Sequence, residues 1–381
     1  MSDGNEIDED EDAADFAEEA DDVEIVGDSD GEDPEPQRFN VSSYGWDSDV
    51  EGLVKRLDRG DIYTPGFQRR FVWTNPEKSR FVESLILGLP VPTIFLAQDA
   101  DSKRLNIVDG QQRLKTLQEY LGGRFPLRGN DIQEDLRGRY FSVDVAKTKK
   151  SKVLTDSDAR ALADSLIHSV VIRPDASDND ENKGHEYNRA VIQIFKRLNT
   201  SGRPLQPQEV RASIFHGPLD EMLRRMNVVE SWRQLFGKQH SRLKDLEAIL
   251  RFLALLNDGQ NYKSPMPRFL DNFMEQHRYI EAALAKGLEA DFQSVTSLVV
   301  KTRGTNAFKN GGTFVLSTFD AVMVGAVTAM RSGVTFDEKS LEKKWAALEA
   351  DARFIWATEE FVNDTNRVSA RLERAIAVFG G

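Results

Sequence analysis

The 381-residue chain has no cysteine. That absence excludes disulfide frameworks, cysteine-ligated zinc and thiol nucleophiles together. Histidine is scarce as well: His168, His185, His216, His240 and His277 lie scattered, without the paired spacing a metal site needs. None follows His277, so a His-based nuclease or zinc hydrolase is not expected in the C-terminal part. No apolar run approaches the ~18 residues that read as a membrane span. The N-terminus also lacks a basic stretch leading into an apolar one. The chain therefore reads as a soluble cytoplasmic protein without membrane contact. Positive charge is missing from residues 1–36, which hold 18 Asp or Glu and no Lys or Arg.

Acidity and apolar poverty leave that segment too little to bury against the entropy of ordering, so it is expected to be a disordered acidic tail. It serves either to solubilise the chain or as an arm that competes with nucleic acid or docks a partner. Without it the balance is 45 acidic against 50 basic residues, a mildly basic remainder that permits nucleic-acid contact without requiring it.

The hydrophobic periodicity then changes along the chain. Short apolar alternations mixed with helical periods run from 37 to 218, whereas 219–381 is almost entirely of helical period. The expectation is an α+β protein: an α/β domain at 37–218, a helical domain at 219–381, and the tail at 1–36. Within the first domain a helix is expected over Asp49–Leu57 and a short strand over Asp61–Tyr63. Asn75 should cap a helix with Pro76 in its first turn. Strands are expected at Thr93–Gln98, Arg104–Val108, Tyr140–Val145 and Ser169–Ile172.

The clearest local signal is Ile107-Val108-Asp109-Gly110-Gln111-Gln112-Arg113. A strand breaks at Asp109-Gly110, and from Gln111 the period becomes helical through Leu114, Leu117, Tyr120 and Leu121. A helix start carries free amides and the positive end of the dipole, so it suits an anion. Gly110 lets backbone approach a phosphate, Arg113 can clamp one, and Gln111 and Gln112 can orient water or donate to phosphate oxygens. Asp109 can hold a metal or accept a proton. The plainer alternative is that Asp109 only caps the helix and Arg113 is solvated.

Three further segments carry candidate chemistry. Phe67-Gln68-Arg69-Arg70-Phe71-Val72-Trp73 interleaves aromatics with cations, suiting either bases and phosphates or an edge strand. Arg197-Leu198-Asn199-Thr200-Ser201-Gly202, followed by Glu209 and Arg211, brings polar groups to a turn between helices. There the alternative is a plain helix stop with a surface Glu209–Arg211 pair. Lys147, Lys149, Lys150 and Lys152 put four cations into six positions, as a solvated loop or a contact to the DNA backbone.

Taken together, these motifs resemble the N-terminal domain of GmrSD-type, modification-dependent restriction proteins of the ParB/sulfiredoxin-like superfamily. The matching pieces are Phe67-Gln68-Arg69…Val72-Trp73, Gly88-Leu89-Pro90-Val91-Pro92, Val108-Asp109-Gly110-Gln111-Gln112-Arg113, Phe195…Arg197-Leu198-Asn199-Thr200…Gly202…Leu205 and Glu209…Arg211. They occur in the family's order over about residues 40–218. The resemblance implies a ParB-like domain that binds, and in some relatives hydrolyses, a nucleoside triphosphate with a divalent metal such as Mg2+, while sensing foreign DNA. Carried over, Asp109, Gly110, Gln111, Gln112 and Arg113 form the nucleotide-phosphate site. Gln68 and Arg69 contribute to hydrolysis or sensing, and Asn199 and Arg211 lie nearby. Many relatives append an HNH nuclease, which this chain's histidine content does not supply, so cutting is absent or belongs to a separate nuclease partner. The other reading is a non-enzymatic DNA-binding adapter switched by nucleotide. Assembly as a homo-oligomer stays open under both.

Overall fold

The computed structural model describes residues 25–26, 41–63, 73–99, 102–146, 152–174, 181–198 and 206–381. The chain divides into two compact units. A sheet unit comprises Gln37–Leu205 and Ala212–Ile214, and a helical unit comprises Met1–Pro36, Gln206–Arg211 and Phe215–Gly381.

In chain order the elements begin with β1 (Ile25–Val26), β2 (Val41–Asp49), α1 (Val50–Asp58), β3 (Ile62–Tyr63), α2 (Asn75–Ile86), β4 (Ile94–Gln98) and β5 (Leu105–Asp109). Next come α3 (Gln111–Leu121), α4 (Val143–Ala146), α5 (Asp156–Asp164), β6 (Leu166–Pro174), α6 (Glu181–Leu198) and α7 (Pro207–Ile214). The remainder is α8 (Pro218–Asn227), α9 (Glu230–Phe236), α10 (Lys244–Asp258), α11 (Met266–Gln276), α12 (Ala282–Arg303), β7 (Lys309–Asn310) and β8 (Thr313–Val315). It closes with α13 (Leu316–Arg331), α14 (Glu338–Glu349), α15 (Ala352–Glu359) and α16 (Thr365–Gly380). The protein is thus α+β, a sheet-bearing N-terminal region followed by helices.

The sheet unit is a five-stranded sheet in the order β2-β6-β4-β5-β3. Its centre is the antiparallel pair β4–β5, joined by a turn in which Asp99 accepts from the Ser102 backbone and hydroxyl at 2.8 and 2.9 Å. Helices α1, α2, α3 and α5 supply the cover. Val50, Leu53, Val82, Leu114, Leu117, Tyr120 and Leu162 are fully buried in one cluster with Ile94, Leu96 and Val171 of the sheet. Each such side chain contributes roughly 1.5–3 kcal/mol by leaving water. Tyr187 of α6 donates its hydroxyl to the carbonyls of Gln98 and Ile172 at 2.7 and 3.1 Å, binding that helix to two strands.

Several local expectations change. The cap of α2 is Thr74, one residue before Asn75; its N–H and hydroxyl both donate to Glu77 at 2.8 and 2.9 Å. Tyr140–Val145 is not a strand: Tyr140 makes an isolated bridge to Val153, and α4 starts at Val143. Ser142 followed by Asp144 is a helix-start pattern, which outweighs the β-formers beside it. β2, over which no strand was expected, pairs along all nine residues with β6. Its Ser, Gly and Asp content hides it from propensity, and the pairing with β6 supplies what the local sequence lacks.

The helical unit packs around Trp232, whose ring lies 5.1–5.8 Å from Phe236, Phe292, Phe314 and Phe319. One ion cluster sits inside it. Asp320 accepts from Arg251 at 2.7 Å and from Arg371 at 3.1 Å, all three fully buried. Burial opposes the charge on Arg251, but Asp320 together with Glu247 and Tyr262 outweighs it and raises its pKa; at Arg371 burial prevails and lowers it. The helical period over 267–287 is broken into α11 and the start of α12. The β7–β8 hairpin turns on Gly311 and Gly312, with φ of +59° and +94°. Two residues of positive φ form the turn whose twist matches paired strands. β1 adds to this hairpin in parallel, Ile25 opposite Phe314 and Val26 opposite Val315. Ile25 and Val26 thus form a strand inside the segment expected to be disordered.

Candidate functional site

β5 ends at Asp109 and α3 begins two residues later, so the Asp-Gly-Gln-Gln-Arg turn is the strand-to-helix corner expected. Leu96 pairs with Ile107 and Phe95 with Asp109, which leaves Val108 as an extra residue on β5. Such bulges re-aim the side chains beside them. Gly110 occupies the cap position with φ +101°. A Cβ built on it would lie 2.9 Å from Ile94 Cγ1, so this corner requires glycine for two independent reasons.

Both simple readings of Asp109 and Arg113 fall short of what the corner does. Asp109 does not cap α3; Gly110 holds that position and no side chain bonds there. The Asp109 carboxylate instead accepts from Arg113 Nη2 at 2.6 Å. Nor is Arg113 solvated: it is 9% exposed, and its Nη1 donates to the carbonyls of Pro92 and, at 3.1 Å, Thr93. Pro90 and Pro92 end the Gly88-Leu89-Pro90-Val91-Pro92 segment in extended backbone without N–H groups of their own. Arg113 therefore joins two motifs that are separate in sequence, and its charge is directed at Asp109.

What remains open at the corner is specific. Asp109 is 37% exposed at its side chain, and Oδ1 has no protein partner among the described residues. The half-exposed Gln111 side chain likewise has no partner among them. Gln112 accepts from the Trp73 N–H at 3.3 Å, and Trp73 rests edge-on against Phe81 at 5.6 Å. The described end of the aromatic, basic segment is thereby tied to the first turn of α3. Gln68, Arg69 and Arg70 themselves lie outside the described residues, as do Asn199, Lys147, Lys149 and Lys150. Lys152 is described and exposed.

Arg211 belongs to the helical unit and is buried in its interior. It is 1% exposed and donates to Glu247 at 2.9 Å, Asp271 at 2.6 Å and the Pro267 carbonyl at 3.2 Å. Glu209 is buried as well, accepting from the Gln206 N–H at 2.6 Å and from Arg242 at 2.9 Å. The reading of Glu209–Arg211 as a surface pair is thus corrected: each pairs separately with a residue distant in sequence. Sequence reasoning missed the Pro92 and Thr93 carbonyls as partners of Arg113, because backbone acceptors carry no side-chain signature. No group of three or more His, Asp or Glu that would hold a metal by itself occurs among the described residues.

Residues 50–216 match the model of the GmrSD restriction endonuclease, N-terminal domain. Over those residues the chain is similar to that N-terminal domain. The match associates the chain with restriction and defence. No curated protein matches the chain. Among the described residues no helix is long and apolar enough to cross a membrane.

Proposed function

We propose that the chain is a nucleotide-responsive component of a restriction system acting on DNA, with a nucleoside triphosphate held at the Asp109 corner. One observation carries this reading: a half-exposed carboxylate with one oxygen fixed by Arg113 and the other open, beside the amides of a helix start. That donor set fits a divalent cation that arrives with its nucleotide. Mg2+ is commonly held by one or two carboxylates together with phosphate oxygens and water. When bound, it would offset phosphate charge.

In this reading Asp109 offers Oδ1 to the metal, and Gly110 keeps the corner open to phosphate. The unpartnered Gln111 side chain orients water or donates to a phosphate oxygen. Gln112 anchors the segment carrying Gln68 and Arg69, which complete the site. Arg113 acts by positioning Asp109. Arg211, already matched by Glu247 and Asp271, is left out. DNA contact falls to Arg70 and the Lys147–Lys152 loop, and strand cleavage to a separate nuclease.

The test is nucleotide binding and phosphate release for four NTPs with Mg2+, each with and without DNA. Wild type should bind, Asp109→Asn should bind at least tenfold more weakly, and Gln68→Ala should bind normally but turn over slowly. Binding by wild type without any turnover would assign the adapter role instead. No binding by any NTP in either condition removes the proposal.

A further inference from the structure

We infer that the sheet unit carries a second anion-binding feature, a groove for the phosphodiester backbone of a nucleic acid lined by Arg124, Arg128, Arg137 and Arg139. Two clefts, of about 300 and 470 Å³, share Pro126, Arg128 and Tyr140 in their walls and so form one continuous depression. Lys78 and Glu119 line one end and pair at 3.2 Å, which cancels them. Of the remaining charged residues in the walls, only Glu134 is acidic against four arginines and Lys152.

How these cations are held distinguishes the groove from an ordinary solvated face. Arg124 and Arg128 are exposed, and their guanidinium groups have no partner among the described residues. Arg137 donates to the carbonyls of Asn130 and Ile132, at 3.2 and 2.8 Å, which fixes its position without cancelling its charge. Arg139 donates to the carbonyls of Asp135 and Val153, at 3.1 and 3.3 Å, and so joins the two segments of the wall. The groove is therefore partly preorganised by its own backbone, with two guanidinium forks left over.

The chemistry selects the ligand. Planar guanidinium forks match phosphate oxygens bidentately, and arginine predominates here over lysine. A protein partner would need an apolar anchor at the centre of the contact. The walls offer little of that kind: Phe125 is 6% exposed, Tyr140 is half-buried, and none of the exposed large apolar residues lies in them. Lys152 lines the groove and ends a sequence run that also holds Lys147, Lys149 and Lys150. The inference is independent of the Asp109 corner. Glu119 lies two turns along α3 from Gln112, about 10 Å at 1.5 Å per residue.

The experiment is anisotropy titration of a labelled DNA duplex, its single strand and an RNA of the same sequence against salt. Arg124→Gln/Arg128→Gln should weaken binding at least tenfold and flatten the log–log salt slope by about 2, the loss of two phosphate contacts. Glu134→Gln should tighten binding about twofold, in line with one fewer opposing charge on a wet surface. Lys339→Gln/Lys343→Gln, on α14, should change nothing. Since neither substituted guanidinium has a partner among the described residues, thermal unfolding should match wild type. An unchanged salt slope in the double variant overturns the inference. So does an acidic peptide that competes as well as DNA at equal charge. Nucleotide binding at Asp109 should be untouched by the double variant, so each idea can fail separately.

Discussion

Replacing Gly110 by alanine tests the account of the strand-to-helix corner most sharply. The backbone there has φ +101°, in the region that L-residues rarely adopt. Holding a side-chain-bearing residue in such a left-handed conformation costs about 1–2 kcal/mol. The new Cβ would also meet Ile94 Cγ1, Cγ2 and Cβ at 2.9, 3.2 and 3.3 Å. Ile94 is fully buried on the β4 strand and cannot swing into solvent, so this is overpacking at a site with little give. Overpacking of that kind costs about 1–3 kcal/mol. The sum, about 2–5 kcal/mol, is a large part of the 5–15 kcal/mol that holds a typical domain together. Because the chain has two units, a single melting midpoint would blur the effect. Hydrogen–deuterium exchange on peptides covering β5 and α3 reads it locally. Protection should fall there and remain in α10 and α13. Adding Ile94→Ala should recover the steric part while leaving the φ part and a cavity. If Gly110→Ala protects these amides within about 0.5 kcal/mol of wild type, the ordinary range for an unconstrained surface change, the argument fails.

Arg113→Met should cost about 2–4 kcal/mol in the same local measurement, because it strips a donor from two carbonyls and the partner from Asp109. Arg113→Lys should rescue little, since one ammonium cannot span both directions. In the helical unit, Asp320→Asn should lose about 3–5 kcal/mol by leaving Arg251 and Arg371 buried without a counter-charge. Arg371→Met should cost less, because one carboxylate then serves one guanidinium; urea midpoints of the two variants decide the order. Burial pushes the Tyr262 phenol up to about 12 from its ordinary 10. The folded state therefore binds this proton more tightly, so its stabilisation is intact below about pH 10 and is lost as pH rises from there toward 12. Urea midpoints taken from pH 9 to 11 should fall, and Tyr262→Phe should flatten that decline while losing the bond to the Asn363 carbonyl.

The corner was legible because each of its residues carries a local signal. Apolar alternation ends at Val108, Gly110 permits the turn, and the 3.6-residue period starts with Leu114. The second level was hidden. Arg113 reads locally as an unfavourable cation in a helix's first turn, and only the path of residues 88–93 explains why it is tolerated. β2 illustrates the same limit, with no β-forming run until its partner β6 is in place. The β7–β8 hairpin is different: Asn310-Gly311-Gly312 is a readable turn signal, overlooked inside a stretch of helical period. Arg211 marks a third case, in which a motif residue proved to be internal because its carboxylates, Glu247 and Asp271, arrive from far along the chain.

The pairing of β1 with β8 also sets a schedule. Translation delivers every residue of the sheet unit by Ile214, while Ile25 and Val26 wait for a partner that begins at Thr313. At about 5–20 residues per second that interval lasts roughly 5–20 s. The helical unit is therefore split across synthesis, its first strand made before the sheet unit and nearly all of its remainder after. A nascent chain arrested short of β8 should present a protease-resistant sheet unit with Ile25 and Val26 still unpaired, and cleavage there that persists after β8 has emerged would refute the pairing.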